Sequence, residues 1–293
     1  MADIMSKASW AGAVQLKIGT TQIDVPVLNS DHIGNDGHQL ETLAQGNAGA
    51  AFPVNSTKTP DSSVLNLTAR AFTSWFTAAN LNSLFVTRDA NGSTGSVDWK
   101  SNNGIIATVD SGKGSILRLA CSAGQGPLSV DMSFLGMANG SAATFTAPSA
   151  QAGQPFYQNC ISFAWTPVGG SSLALSLVED FVLTLYTGVQ PGKVFDCTDG
   201  LSSIDQGIQS GSLVLMQRAG ATNLISNSTA GTLTISLGAP SGDAGVIATL
   251  QLVRLGVSRP ISPNATGGPK IPSTWALRSH NGSNPIAFTA IDV

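Results

Sequence analysis

The chain has 293 residues, a formal net charge of −3, 42% hydrophobic residues and only 11% charged residues, less than half the usual charged share of about 25%. These values exclude intrinsic disorder, which needs low hydrophobicity and high net charge. They also exclude a basic nucleic-acid-binding stripe, and no apolar run reaches the roughly 18–20 residues of a membrane-spanning helix.

Ser, Thr, Gly, Ala and Asn stand where charge is missing. A surface of small neutral groups can dock against another without stranding buried ions, which favours an assembly component over a solitary enzyme. The opening residues, Met1–Trp10, carry neither the basic patch nor the apolar stretch of a signal peptide. The three cysteines, Cys121, Cys160 and Cys197, are odd in number and lack metal-ligand spacing. They are expected to be reduced thiols in a cytosol. The Asn-x-Ser/Thr triplets, at Asn55, Asn66, Asn91, Asn139, Asn227, Asn264 and Asn281, are read as chance in an Asn/Ser/Thr-rich chain.

Taken in chain order, the first predicted strands are Ala13–Ile18 and Gln22–Val27. The stretch Asn29–Ser63 reads as a long loop, and a loop of that length is usually functional or interfacial. Phe72, Trp75, Phe76 and Ala79 fall at i, i+3, i+4 and i+7 and predict one helix, capped by Thr73 or Ser74, over the end or face of a barrel. Ser115–Cys121 is the next strand. Leu128, Val130, Met132 and Phe134 alternate with polar residues as in a half-buried strand. Ala138–Gln158 contains no charged residue and is the expected boundary between two domains, 1–150 and 151–293.

Beyond it, strands are predicted at Ile161–Trp165, Phe181–Tyr186, Ser212–Met216, Leu233–Leu237, Val246–Leu255, Thr274–Leu277 and Ile286–Ile291. Phe181–Tyr186 and Val246–Leu255 are continuously apolar, as in strands covered on both faces. Ala221–Asn227 suggests a short second helix, and Ser258–Pro272, with four prolines, should run extended. Turns are expected at Asn91-Gly92, Asn103-Gly104 and Asp199-Gly200. The order of elements on the two sides of the boundary suggests a diverged duplication.

The search for chemistry returns no catalytic, cofactor-binding or metal-binding residue. His32 and His38 lie with Asp31 and Asp36 in a Gly-rich stretch that sets no ligand geometry, so a solvated or interface loop is the preferred reading over a metal site. His280 sits in a turn-like segment. No Gly-x-Ser-x-Gly elbow is followed by an acid and a histidine. Glu179-Asp180 reads as a strand-entry corner rather than an acid–base pair. Asp89–Thr94 has alternating oxygen ligands, but Thr94 and Lys100 stand where an EF-hand needs Gly and Glu. Neither Gly112-Lys113-Gly114 nor Gly124-Gln125-Gly126 makes a phosphate loop. Trp10, Trp75, Trp99, Trp165 and Trp275 are scattered one per element, as core or interface anchors are.

The segment Ser115–Met137, a strand, a tight turn and an alternating strand, resembles the corresponding part of siphophage tail tube proteins. Phe163–Trp165 followed by Leu177–Pro191 is similar to the family's re-entry into a long strand. Gly211–Met216, Gly231–Leu237 and Val246–Leu255 resemble its later barrel strands, Ser273–Ile291 its final hairpin and Trp10–Ile18 its first strand. The resemblance implies a mainly β fold of two tail-tube-like β-sandwich or barrel domains, each with at most one short flanking helix. It implies a non-catalytic, cofactor-free subunit in the virion, made in the host cytoplasm. Its partners would be copies of itself in stacked trimeric, pseudo-hexameric rings, other tail proteins, and genomic DNA passing through the lumen without specific binding. Closing sheets between subunits would remove exposed strand edges, and scarce Lys and Arg would let phosphates pass. Another β-rich virion protein, in a capsid decoration or a baseplate, and a carbohydrate- or receptor-binding β-sandwich are the competing readings.

Overall fold

The computed structural model describes residues 13–18, 21–34, 38–44, 51–58, 62–86, 94–100, 106–124, 126–139, 153–193, 201–206, 209–218, 230–238, 245–257, 270–280 and 282–291. The fold is mainly β, as expected. Its first group of strands is β1 (Ala13–Ile18), β2 (Thr21–Gly34), β3 (His38–Ala44), β4 (Ala51–Lys58), β5 (Ser62–Arg70), β6 (Thr94–Lys100), β7 (Ile106–Ser122) and β8 (Ser129–Asn139). Between β5 and β6 lie one helical turn, α1 (Ala78–Leu81), and a π-helical turn, Asn82–Val86. The second group is β9 (Ile161–Pro167), β10 (Leu173–Leu175), β11 (Val178–Tyr186), β12 (Val189–Lys193), β13 (Leu201–Gln206), β14 (Ser210–Arg218), β15 (Ala230–Leu237), β16 (Gly245–Val257), β17 (Lys270–Leu277) and β18 (Ile286–Ile291).

Fourteen of these strands form one antiparallel sheet in the order β10-β9-β15-β16-β17-β14-β11-β7-β6-β1-β2-β5-β8, with β18 beside β16. The length of β7 makes this possible. Its first residues, Ile106–Val109, pair with β6 and its last, Ile116–Ser122, with β11, while β8 runs along the opposite edge. Because β8 also pairs with β5, the strands β7-β6-β1-β2-β5-β8 close a circuit. The second group leaves that circuit through β11 as an open sheet. β3 with β4 and β12 with β13 form separate two-stranded hairpins.

The sheet therefore runs without a break across the expected boundary at residue 150. Its buried side chains belong to a single hydrophobic cluster, which includes Trp75, Phe85 and Phe134 from the first group and Trp165, Phe181 and Trp275 from the second. Apolar residues at alternate strand positions supply it, as in β15, where Gly231, Leu233, Ile235 and Leu237 are buried and the residues between them are half-buried.

Three expectations need correction. Asn29–Ser63 is not one long loop: it contains the end of β2, all of β3 and β4 and the start of β5. Bulges hide the period of two. The β2–β5 register skips a residue of β2 between Val27 and Asn29, and the β3–β4 register skips one of β4 between Pro53 and Asn55, so the apolar phase changes within β2 and β4.

The helix predicted from Phe72 begins only at Ala78, where the Thr77 hydroxyl accepts from the Asn80 N–H at 3.3 Å. One turn does form at Phe72, whose carbonyl accepts from the Trp75 and Phe76 N–H groups, but Thr77 is extended and its N–H donates to the Trp75 carbonyl, which ends the i to i+4 ladder. The chain entering this turn is tied to other segments. Ala71 N–H donates to the Leu128 carbonyl, Thr73 N–H to that of Gln154, and Phe156 N–H to that of Ala71. Ala79, placed on the buried stripe by periodicity, is exposed.

β11 and β16 are not covered on both faces. In β11, Phe181, Leu183 and Leu185 are buried while Val182 and Thr184 are half-buried and Tyr186 is exposed. In β16 the chain covers Ala248, Leu250 and Leu252 but leaves Leu255 67% exposed. The second face of these apolar strands is open in the single chain.

Ala138 and Asn139 end β8, and Pro155 and Tyr157 make isolated bridges to Phe72 and Pro127, so both ends of the expected linker carry ordered pairings. Pro272 sits within β17 opposite Met216, beyond the last β16 pairing at Ser273. Its missing N–H costs no ladder bond there. Ala221–Asn227, Asn91-Gly92, Asn103-Gly104 and Asp199-Gly200 lie outside the described residues.

Candidate functional site

The outward face of the sheet from β8 to β17 is the most distinctive surface. Antiparallel register aligns its residues into rows. One row is Asp131, Arg118, Thr184, Ser212 and Ala276. The next is Ser129, Ala120, Val182, Val214 and Thr274, and a third is Ser133, Ile116, Tyr186 and Ser210. The only charges in these rows neutralise each other: Arg118 Nη1 lies 2.7 Å from Asp131 Oδ2. With side chains 43% and 35% exposed, this pair adds at most about 1 kcal/mol to stability. Its larger consequence is that these three rows carry no net charge; one row further along the same face, beside Ser122 and Met216, stands Asp180. Val214 and Tyr186 stand out from the face, 38% and 46% exposed.

At one end of β11 a cavity of about 220 Å³ opens between Cys121, Gln158, Asn159, Phe163, Glu179 and Asp180. Glu179 follows a register shift between Val178 and Asp180, and its carboxylate accepts from Arg218 Nε at 2.8 Å. Its carbonyl accepts from Ala123 N–H at 2.6 Å. Glu179 thus pins a strand corner, the role expected for it. Burial, and then the negative charge of Asp180, push the Cys121 thiol above its ordinary pKa, outweighing the lowering by Arg70 and by the Ser122 N–H. A raised pKa leaves less thiolate at neutral pH.

Iodoacetamide should therefore alkylate Cys121 more slowly than free cysteine at pH 8 in a chain whose other two cysteines are serine. Asp180→Asn should accelerate that reaction. Mass-spectrometric rates check both, and a faster-than-free rate would contradict the burial argument.

The other candidate residues are dispersed. His32 is in β2 opposite Leu65 and His38 opens β3 opposite Lys58, so the two belong to different sheets; Asp36 lies outside the described residues. His280 Nε2 is 3.0 Å from the Gly231 carbonyl oxygen and so donates to it, while the His280 N–H donates to Gln251 Oε1 at 2.6 Å. That imidazole tethers the segment after β17 to β15. Thr94 and Lys100 begin and end β6, and Asp89 lies outside the described residues. Gly112 and Gly114 are buried inside β7, not in a loop. Cys121 and Cys160 are free thiols. Among the described residues no three His, Cys, Asp or Glu side chains gather as a metal site would require. Trp75, Trp165 and Trp275 are core residues.

Sequence reasoning named the strands that carry the neutral rows but not the rows themselves, because register is a property of pairing. The signal was the continuous apolar run in β11, where Val182 alternates with buried neighbours. Compared with protein-family models and with curated proteins, the chain matches no family model and no curated protein.

Proposed function

We propose that this chain is a non-catalytic structural subunit that associates with copies of itself into stacked rings around an open channel, in the manner of a bacteriophage tail tube protein. The observation that carries this reading is the set of neutral rows across β8, β7, β11, β14 and β17. A single chain leaves Val182, Val214 and Tyr186 only partly covered there, and these rows, whose one ion pair neutralises itself, can be buried against a neighbour without an isolated charge. The hairpin β3–β4 adds to it: it is a separate two-stranded sheet, and a two-stranded ribbon is marginal in water unless something packs on it, whereas β12–β13 lies against β7 and β8 of its own chain. The scarcity of Lys and Arg suits a channel through which DNA passes without being held. Its place of action would be the virion, with assembly in the host cytoplasm.

Negative-stain electron microscopy of the concentrated, purified chain tests the proposal. Threefold or sixfold rings that stack into hollow tubes are expected. A monodisperse monomer with clear hits on a glycan array would replace this reading with a carbohydrate-binding module. Binding only to a capsid lattice would replace it with a decoration protein.

A further inference from the structure

The strand β18 is an outer strand of the sheet, and the way its edge is covered is specific. Asn82, the first residue of the π-helical turn, places its side-chain amide against the backbone of Phe288. Its Nδ2 donates to the Phe288 carbonyl at 2.6 Å, and its Oδ1 accepts from the Phe288 N–H at 3.2 Å. One amide thus satisfies both main-chain groups of one residue, as an added strand would.

In an antiparallel ladder, the N–H and C=O of successive residues point alternately toward and away from the partner strand. Phe288 is registered with Ala248 of β16, and its bonds to Asn82 identify its groups as outward-facing. By the same alternation Ile286 and Ala290 also face outward. The Ile286 N–H is taken by Asn284 Oδ1 at 3.2 Å. Two asparagine side chains therefore occupy outward positions that a foreign strand would use.

The amide of Asn82 is held firmly. Leu84, Phe85 and Val86 of the same turn are buried, and Gln209 Nε2 donates to the Phe85 carbonyl at 3.1 Å. Gly114 of β7 provides the seat, since a Cβ there would lie 2.5 Å from the Leu84 carbonyl oxygen and 2.6 Å from the Phe85 ring. π-helical turns are rare and concentrate at functional positions.

We infer that Asn82 is an edge lock: it closes β18 to strands of other copies of this chain, so that association of copies is confined to other surfaces. The lock holds whether or not the wild-type chain forms tubes, because it concerns a contact that the wild type avoids. An uncovered edge strand is a template for pairing with another chain.

The full-length variants Asn82→Leu and Asn82→Ala test it by light scattering across a concentration series, with hydrogen exchange at the Phe288 amide. Both should expose that amide and begin a new association at about a tenfold lower concentration than any association of wild type, the order of one hydrogen bond's worth of equilibrium constant. Adding Ala290→Pro, which removes an outward-facing donor without touching the β16 ladder, should abolish the new species. Unchanged association in both variants, or a new species that survives Ala290→Pro, overturns the lock. Should both variants fail to fold, Asn82→Asp keeps the acceptor and loses the donor. That variant leaves the Phe288 carbonyl without its donor; association at a lower concentration than wild type in the folded protein supports the lock, and wild-type association overturns it.

Discussion

Trp275→Ala is expected to lower the unfolding free energy by about 3–5 kcal/mol, the range for truncating a fully buried large side chain. Trp275 is completely buried, and its ring centroid lies 4.9 Å from that of Trp165, itself 1% exposed. The indole N–H donates to Ser273 Oγ at 2.9 Å, and that hydroxyl donates to the Leu215 carbonyl at 3.3 Å. The substitution therefore opens a cavity, removes an aromatic pair and disturbs a buried polar chain at once. The surroundings have little freedom to collapse, because Trp165 is packed on Gly231, where a Cβ would meet its ring at 2.5 Å.

A domain is stable by only about 5–15 kcal/mol, so the variant should unfold at much lower urea, seen in the tryptophan fluorescence transition. Trp275→Phe keeps an aromatic partner and more volume, and should cost about 1–2 kcal/mol. A Trp275→Ala loss below about 1 kcal/mol would show that this pair is not a mainstay of the core.

How much of this architecture could be read from residues alone depends on whether a contact is local. β1 and β18 begin and end where the pattern predicted, at Ala13–Ile18 and Ile286–Ile291. β2 outran its predicted end at Val27 because a bulge moved its phase, and a bulge in β4 between Pro53 and Asn55 interrupted the pattern of the β3–β4 hairpin. The helix stripe from Phe72 made one turn and stopped at Thr77, which is extended, donates to the Trp75 carbonyl and caps the next helical turn instead, an override of a weak local preference.

The contact of Asn82 with Phe288 spans 206 residues and leaves no periodic trace. An asparagine after a short apolar run looks like any turn residue. The neutral face was half legible: the run Phe181–Tyr186 announced too much apolar surface for one core, but only the register with β7 and β14 puts Val182 beside Ala120 and Val214.

That juxtaposition carries the second large prediction. Val214→Glu should leave the isolated chain folded and abolish its assembly. Val214 is partly exposed and faces Val182 and Thr274 on neighbouring strands, so a carboxylate there remains hydrated in the single chain. The cost to folding is then of the order of a strand-propensity difference, up to about 1 kcal/mol. If the face is buried against another copy, the same carboxylate loses its water, and Arg118, the cation of the adjoining row, is already paired with Asp131.

An uncompensated buried charge costs about 3–5 kcal/mol at every interface formed, enough to lower each association constant by roughly two to three and a half orders of magnitude, at about 1.4 kcal/mol per factor of ten. Circular dichroism and thermal unfolding should match wild type closely, while sedimentation velocity and electron microscopy should show only the smallest species. Val214→Thr, neutral and of the same shape, should still assemble. Wild-type assembly by Val214→Glu would place the contacts between copies on some other surface and remove the neutral face from the argument for self-association.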